Sequence, residues 1–222
     1  MKDLSNKVAI ITGSSSGVGA ATARLFASLG CHVVINYNAN SAGATQVAKE
    51  CEELGVETVC FGGSVANDTD CVAMVKAAMD KWGRVDILVN NAGTTKFVDH
   101  NNLDGLDAED FQRIYGVNVI GCYQMTRAAR AAMEANDEGG AVVNIASTAA
   151  VTGIGSSIAY AASKGAMVTM TMSLARVLGP KIRMNAVCPG FIEGDWLREG
   201  LGDTQYEAVR DANRRDAPLG VT

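Results

Sequence analysis

Tyr160 and Lys164 lie at i and i+4 in Tyr160-Ala161-Ala162-Ser163-Lys164. On a helix that spacing puts the ammonium beside the phenol. A free phenol titrates near pH ~10, too high for proton transfer at neutrality. A neighbouring cation favours the phenolate and lowers that value. Such a tyrosine can protonate a carbonyl oxygen while hydride arrives from a cofactor, or run the reverse. Taken alone, the spacing is also that of an ordinary helix-surface pair. Ser147 follows an apolar run ending Val142-Val143-Asn144-Ile145. Its hydroxyl can hold a substrate oxygen opposite the phenol, although a plain turn serine would look the same.

A second constellation is Thr12-Gly13-Ser14-Ser15-Ser16-Gly17-Val18-Gly19. Gly13 permits a tight turn out of a strand. Gly17 and Gly19 let backbone and helix approach a pyrophosphate closely, and the helix N-terminus offers N–H groups and a positive dipole end. Glycines at this spacing also fit a bland strand-to-helix turn; their place after the first strand of an alternating chain favours the phosphate cradle. The next strand ends Asn36-Tyr37-Asn38, without the acidic residue that holds the ribose 2′-OH of NAD and would repel a 2′-phosphate. Ser15, Ser16, Tyr37, Asn38 and Ser41 can hydrogen-bond a 2′-phosphate, but neither segment carries Arg or Lys. The expectation is NADP(H) in preference to NAD(H).

The elements that must position these residues alternate. Strands are expected at 8–11, 32–37, 57–61, 85–89, 141–145 and 181–187. Helices are expected at 17–29, at 41–54 with Ser41 as N-cap, from a cap at Asn67 or Asp68 to Trp82, at 118–135 and at 158–178. Apolar strands separated by helices indicate a parallel sheet covered on both faces, joined by right-handed crossovers. No repeat, low-complexity segment or linker divides the chain, so residues 1–222 read as one domain. The irregular stretches 94–110 and 190–215 follow strand ends, where an open α/β sheet binds its ligands. Residues 191–214 read as an amphipathic lid over the substrate. Trp196, Leu197 and Tyr206 either touch an apolar substrate or pack that lid on the core.

Composition narrows the function without selecting it. Of 222 residues, 48% are hydrophobic and 19% charged, which suits a globular α/β domain. A net charge of -5 gives no footprint for nucleic acid or an anionic membrane. No apolar run reaches the ~20 residues of a membrane helix, and Met1-Lys2-Asp3-Leu4 opens no signal peptide, so a cytoplasmic protein is expected. The six cysteines are scattered without CxxC pairs and read as reduced and mostly buried. His32 and His100 share no ligand spacing with them, so no metal is expected.

Together these residues resemble the short-chain dehydrogenase/reductase family in its single-domain Rossmann form, over essentially the whole chain. The family's TGxxxGxG is Thr12 to Gly19, and its NNAG is Asn90-Asn91-Ala92-Gly93. Its catalytic Asn matches Asn118 in Gly116-Val117-Asn118-Val119. Ser147, Tyr160 and Lys164 complete the tetrad, and Pro189-Gly190 matches the PG motif. The resemblance implies NAD(P)-dependent interconversion of a ketone and a secondary alcohol. Tyr160 would be general acid/base, and Lys164 would lower its pKa and bind the nicotinamide ribose. Ser147 would orient substrate, and Asn118 would hold a water linking Lys164 to solvent.

The implied cofactor contacts are Gly13, Ser15, Ser16, Gly17, Val18, Gly19, Tyr37, Asn38, Ser64, Val65, Asn91, Ala92, Gly93, Tyr160, Lys164, Pro189, Gly190 and Ile192. Asn90 and Gly93 would line the adenosine side. Asn90 and Asn118 fit equally a role in holding the central sheet and a helix kink. The substrate, a small carbonyl compound or alcohol, would sit between 94–102 and 191–214. A homodimer or homotetramer is also implied.

The sequence departs from the family in places. Gly63-Ser64-Val65 stands where an Asp usually meets the adenine, and Gly194 stands where a Thr usually meets the nicotinamide. Family members continue past Ala217-Pro218-Leu219-Gly220 with a helix and a last strand. The expected architecture is therefore a three-layer, doubly wound parallel sheet lacking that helix and strand, in a sequence that is part of a longer one. Two alternatives remain. A 3-oxoacyl-carrier-protein reductase would dock an acidic carrier, which the acidic Glu134-Ala135-Asn136-Asp137-Glu138 and the isolated Arg127, Arg130 and Lys181 disfavour. A non-catalytic dinucleotide-binding sensor is disfavoured by the intact Tyr160 and Lys164.

Overall fold

The structure is a computed structural model and describes residues 3–220. Its centre is a six-stranded sheet in the order β3-β2-β1-β4-β5-β6, every neighbouring pair parallel. The strands are β1 (Val8–Ile11), β2 (His32–Tyr37), β3 (Thr58–Gly62), β4 (Ile87–Asn90), β5 (Gly140–Ile145) and β6 (Ile182–Val187). The chain moves outward from β1 to β3, then returns to lay β4 on the other side of β1. A crevice opens at that reversal, outside the carboxyl ends of the strands.

Alternation along each strand feeds two cores. Val8 and Ile10 of β1 point to one face, with α3 (Asp68–Trp82) and α5 (Cys122–Ala135) packed over them through Met74, Ala78, Met125 and Met133. Ala9 and Ile11 point to the other face, under α1 (Gly17–Ser28) and α2 (Ser41–Glu52), whose Ala23, Ala27, Val47 and Cys51 are buried. The sandwiched architecture expected from the apolar strands is the one observed. The outermost strand differs: Arg183, Asn185 and Val187 of β6 are exposed. A strand at the margin of a sheet is covered less completely than a central one.

Local boundaries shift for identifiable reasons. Asn40, not Ser41, caps α2: its Oδ1 accepts from Gly43 N at 2.9 Å while Ser41 is already helical. Asn67 caps α3 by accepting from Thr69 N at 3.0 Å. The helix expected over 118–135 is interrupted. After α4 (Ala108–Tyr115), residues Gly116–Gly121 form a π-helical segment before α5 begins. Such a segment carries one extra residue per turn and is common at functional sites. The α6 turn (Ala149–Thr152) precedes the long α7 (Ile158–Leu178). The expected lid is two helices, α8 (Asp195–Leu201) and α9 (Asp203–Asp216), joined at Gly202, whose φ of +76° suits glycine. Cys31, Cys51, Cys71 and Cys122 are buried, whereas Cys60 and Cys188 are exposed. Among the described residues no helix is long and apolar enough to cross a membrane.

Candidate active site

The turn after β1 is held open by its neighbours. Gly13 has φ +63°, and a Cβ there would approach Ala92 Cα to 2.9 Å, so the loops after β1 and β4 touch backbone to backbone. Asn91 joins them: its Nδ2 donates to Thr12 O at 2.9 Å and to Gly13 O at 3.0 Å. Thr12 Oγ1 in return accepts from the N–H groups of Asn91 and Ala92, both at 3.0 Å. A Cβ at Gly19 would meet Asn91 Nδ2 at 2.5 Å, so α1 also leans on this staple.

Gly17 faces open space, with nothing within 4 Å of where its Cβ would be. Ser16 begins α1 without a side-chain cap, and the first turn carries no acid. The helix end therefore presents its N–H groups and positive pole outward, beside an open glycine. A dinucleotide's phosphates fit that cradle.

The adenosine end is more closed than the sequence implies. Asn36 is buried beneath it: Oδ1 accepts from Gly13 N at 2.9 Å, and Nδ2 donates to Gly63 O at 3.0 Å and Phe61 O at 3.2 Å. One amide thus clamps the glycine turn to the end of β3, a role that no local pattern around Asn36 signals. Ser64 N donates to Asp70 Oδ2 at 2.9 Å, and its Oγ accepts from Ala66 N at 3.3 Å. Val65 is a core residue under Gly121, so its side chain faces away from the crevice. Tyr37 lays its ring over Gly62, while Asn38 is exposed. Asn90 turns inward, donating to Asn144 Oδ1 at 2.9 Å and Thr126 Oγ1 at 3.2 Å. These bonds hold it in the central sheet, and among the described residues its buried Oδ1 has no donor.

At the other end, β5, β6 and α7 bring Ser147, Tyr160 and Lys164 together. Ser157 caps α7 by accepting from Tyr160 N at 3.2 Å, which fixes where the phenol begins. Ser147 Oγ accepts from Ala149 N at 3.1 Å, and Thr148 N donates to Pro189 O at 2.9 Å, tying the loops after β5 and β6. Gly190 and Ile192 beyond them are exposed. Lys164 is buried and donates from Nζ to Ile145 O at 2.6 Å. A Cβ on Gly93 would stand 3.7 Å from that Nζ and 3.5 Å from Asn118 Oδ1.

Asn118 lies in the π segment, fully buried. Its Oδ1 accepts from Thr94 N at 2.8 Å, and its Nδ2 donates to Thr94 O at 3.0 Å and Ser163 Oγ at 2.9 Å. It therefore fastens the loop after β4 to α7, and the side chain has every polar atom engaged.

The electrostatics differ from the expectation. Burial pushes the Tyr160 phenol above its ordinary value, opposed by the hydroxyl of Ser147. Burial lowers the Lys164 ammonium to about 8, opposed by the Cys122 and Cys188 thiols. Lys164 Nζ donates to the Ile145 carbonyl and lies 5.6 Å from the centre of the Tyr160 ring.

Above Tyr160 sits the lid. The Trp196 ring of α8 is centred 6.2 Å from that of Tyr160 and 5.6 Å from that of Phe97, which follows β4. Tyr206 of α9 is buried, packs its ring at a tilt against Phe191 at 5.7 Å and accepts from Gly194 N at 3.2 Å. Of the two roles expected for it, packing the lid is the one observed.

Known proteins share this sequence pattern and fold. The family model described as short chain dehydrogenase matches residues 7–203. A protein named as ketoacyl reductase 2 of the granaticin polyketide synthase, from Streptomyces violaceoruber, is 39% identical over 97% of this chain and 83% of its own. L-rhamnose 1-dehydrogenase (NAD(P)(+)) of Azotobacter vinelandii is 35% identical over 98% of this chain and 84% of its own. A crystal structure named as a short-chain dehydrogenase/reductase from Burkholderia xenovorans superposes with a TM-score of 0.88 at 42% identity, covering 97% of this chain and 85% of that one. NAD+-bound xylitol dehydrogenase superposes with a TM-score of 0.89 at 26% identity, covering 99% of this chain and 87% of that one. With sheet order, sequence and family model in agreement along most of its length, the chain belongs to the short-chain dehydrogenase family of oxidoreductases.

Proposed function

We propose that this chain interconverts a ketone and a secondary alcohol, using NADP(H) in preference to NAD(H). The observation that carries the reading is the meeting of Tyr160 and Ser147 over the buried Lys164, at the end of the crevice that begins at the open glycine turn. When bound, the cofactor would supply or accept the hydride. Gly13, Ser15, Ser16, Gly17, Val18 and Gly19 would hold its phosphates, with Asn91, Ala92 and Gly93 along its flank. Ser64, Pro189, Gly190 and Ile192 would contribute mainly through backbone.

In reduction, the Ser147 hydroxyl holds the substrate oxygen and Tyr160 Oη delivers the proton. Burial keeps that phenol protonated at neutral pH, as a proton donor must be. The charge of Lys164 offsets the phenolate left behind. An ammonium held at about 8 is also poised to return a proton to Oη. Asn118 fixes the loop that closes over this path. The 1–222 single-domain organisation, the lid role of 191–214 and a cytoplasmic setting are carried into this proposal from the sequence pattern, and a homo-oligomeric state from the family resemblance.

Support for NADP(H) comes from α2. A Cβ on Gly43 would reach Ser15 O at 2.6 Å, so the first turn of α2 touches the glycine turn. That turn carries no acid, and its positive pole stands beside Tyr37 and Asn38, where a 2′-phosphate would lie. Parallel titrations with NADPH and NADH test this; tighter binding of NADH overturns the preference. The reaction itself is tested by a ketone panel followed through NADPH consumption. Tyr160→Phe is expected to abolish turnover while cofactor binding persists.

The ketoacyl reductase name of one relative favours a second reading, reduction of a carrier-bound 3-oxoacyl group. Against it, Arg127 pairs with Asp68 and Arg130 with Glu134, leaving these cations neutralised for an acidic carrier. Equal rates on carrier-bound and free 3-oxoacyl substrates support the small-molecule reading; a strong preference for the carrier supports the other.

A further inference from the structure

We propose that Phe97 and Trp196 form an aromatic gate that selects neutral ketones carrying a flat apolar group next to the carbonyl. The inference deepens the reading of the site as a ketone reductase and rests on it. Three aromatic rings converge where the substrate would enter: Tyr160, Trp196 at 6.2 Å from it, and Phe97 at 5.6 Å from Trp196. The two contacts are tilted at 47° and 58°, and the Trp196 ring stands between the phenol and Phe97.

The halves of the gate are mounted differently. Phe97 belongs to a braced loop. Val98 N donates to Ser156 O at 2.9 Å, the hydroxyls of Thr95 and Ser156 lie 2.7 Å apart, and Asn118 holds Thr94. Trp196 belongs to a short helix that contains no buried residue and ends at Gly202, and the residue is 49% exposed. The seam between them is Gly200. A Cβ built there would fall inside the Phe97 ring, against Cε2 and Cζ. The ring therefore lies directly on the backbone of α8, a position that only glycine leaves open.

Cations around the gate are paired. Lys96 and Arg113 converge on Asp110, and Arg198 is held by Asp203 and Glu207. What the gate offers a ligand is aromatic surface, which holds flat apolar groups by stacking and burial.

The test compares phenylacetone with 2-butanone in NADPH-consumption assays. The wild-type protein is expected to favour phenylacetone. Trp196→Ala and Phe97→Ala should each lower kcat/KM for phenylacetone about tenfold, mainly through KM, and leave 2-butanone within about twofold. Gly200→Ala should unseat Phe97 and reproduce the same pattern. In a Trp82→Phe background, phenylacetone should quench the fluorescence of Trp196, the remaining tryptophan. Equal losses on both ketones, an unchanged ratio, or a wild-type protein that prefers 2-butanone or reduces neither, overturns the gate. The two readings fail separately: Tyr160→Phe with full activity defeats the catalytic reading, whereas an inactive Tyr160→Phe with an unchanged ketone ratio in Trp196→Ala defeats only the gate.

Discussion

Lys164 is expected to weaken the fold that depends on it for chemistry. Its ammonium is 3% exposed, and burial lowers its pKa from 10.5 to about 8. At ~1.4 kcal/mol per pH unit, that difference corresponds to ~3 kcal/mol of charge-burial penalty in the folded state. The sign follows from the direction. Below about 8 both folded and unfolded chains carry the proton, and the penalty is fully present. Between about 8 and 10.5 the folded chain loses its proton first, so stability rises with pH through that window.

Lys164→Met removes the penalty and also the charge-assisted hydrogen bond to Ile145 O at 2.6 Å, which offsets ~1.5–3 kcal/mol. The net expectation is a stabilisation of up to ~1.5 kcal/mol at pH 7, or a Tm higher by up to roughly 6 °C for a chain of this size. Thermal melts of both proteins from pH 7 to pH 10 measure it. The gap between the wild-type and variant curves should narrow as pH increases, the buried thiols acting equally on both, while turnover is lost in the variant. A variant that melts lower at pH 7, or curves that run parallel, would refute the reasoning.

Other outcomes follow from the same geometry. Gly13→Ala places a side chain at φ +63° and against Ala92 Cα, so melts should show a loss of roughly 2–4 kcal/mol, and NADPH titration should show weakened binding. Asn38→Asp puts a carboxylate beside the proposed 2′-phosphate site and should shift preference toward NADH, read from the ratio of the two dissociation constants. Asn144→Leu takes from Asn90 Nδ2 its partner at 2.9 Å and from Thr171 Oγ1 its donor at 2.8 Å, leaving each with its other buried partner; a loss of roughly 1–3 kcal/mol in denaturant melts is expected.

Much of this molecule is legible in its sequence because the relevant signals are local. Val8 to Ile11 is apolar at every position, and that continuity announces a strand covered on both faces. Gly13, Gly17 and Gly19 mark a strand-to-helix turn because each answers a steric demand within a few residues. What escaped depends on distant partners. Asn40 and Ser41 are both good caps, and the choice between them rests on the clearance at Gly43. Nothing in Gly116-Val117-Asn118-Val119-Ile120-Gly121 breaks helical periodicity; the π segment accompanies Asn118 bonding to Thr94 and Ser163. Val65 neighbours Ser64 in sequence yet faces the core. The i, i+4 spacing places Lys164 near Tyr160, but the Ile145 carbonyl and the depth of burial decide their electrostatics. Phe97 meets Gly200 across half the chain, and no short-range pattern announces it.

The staple at Asn91 bears on when order is acquired. Fixing one residue's backbone costs ~1–2 kcal/mol of conformational entropy. Here the loops after β1 and β4 are pinned by four hydrogen bonds made within the chain, two from Asn91 Nδ2 and two to Thr12 Oγ1. That ordering is completed during folding. A ligand arriving at the turn meets a surface already in its binding shape, and its affinity is not diminished by having to organise one.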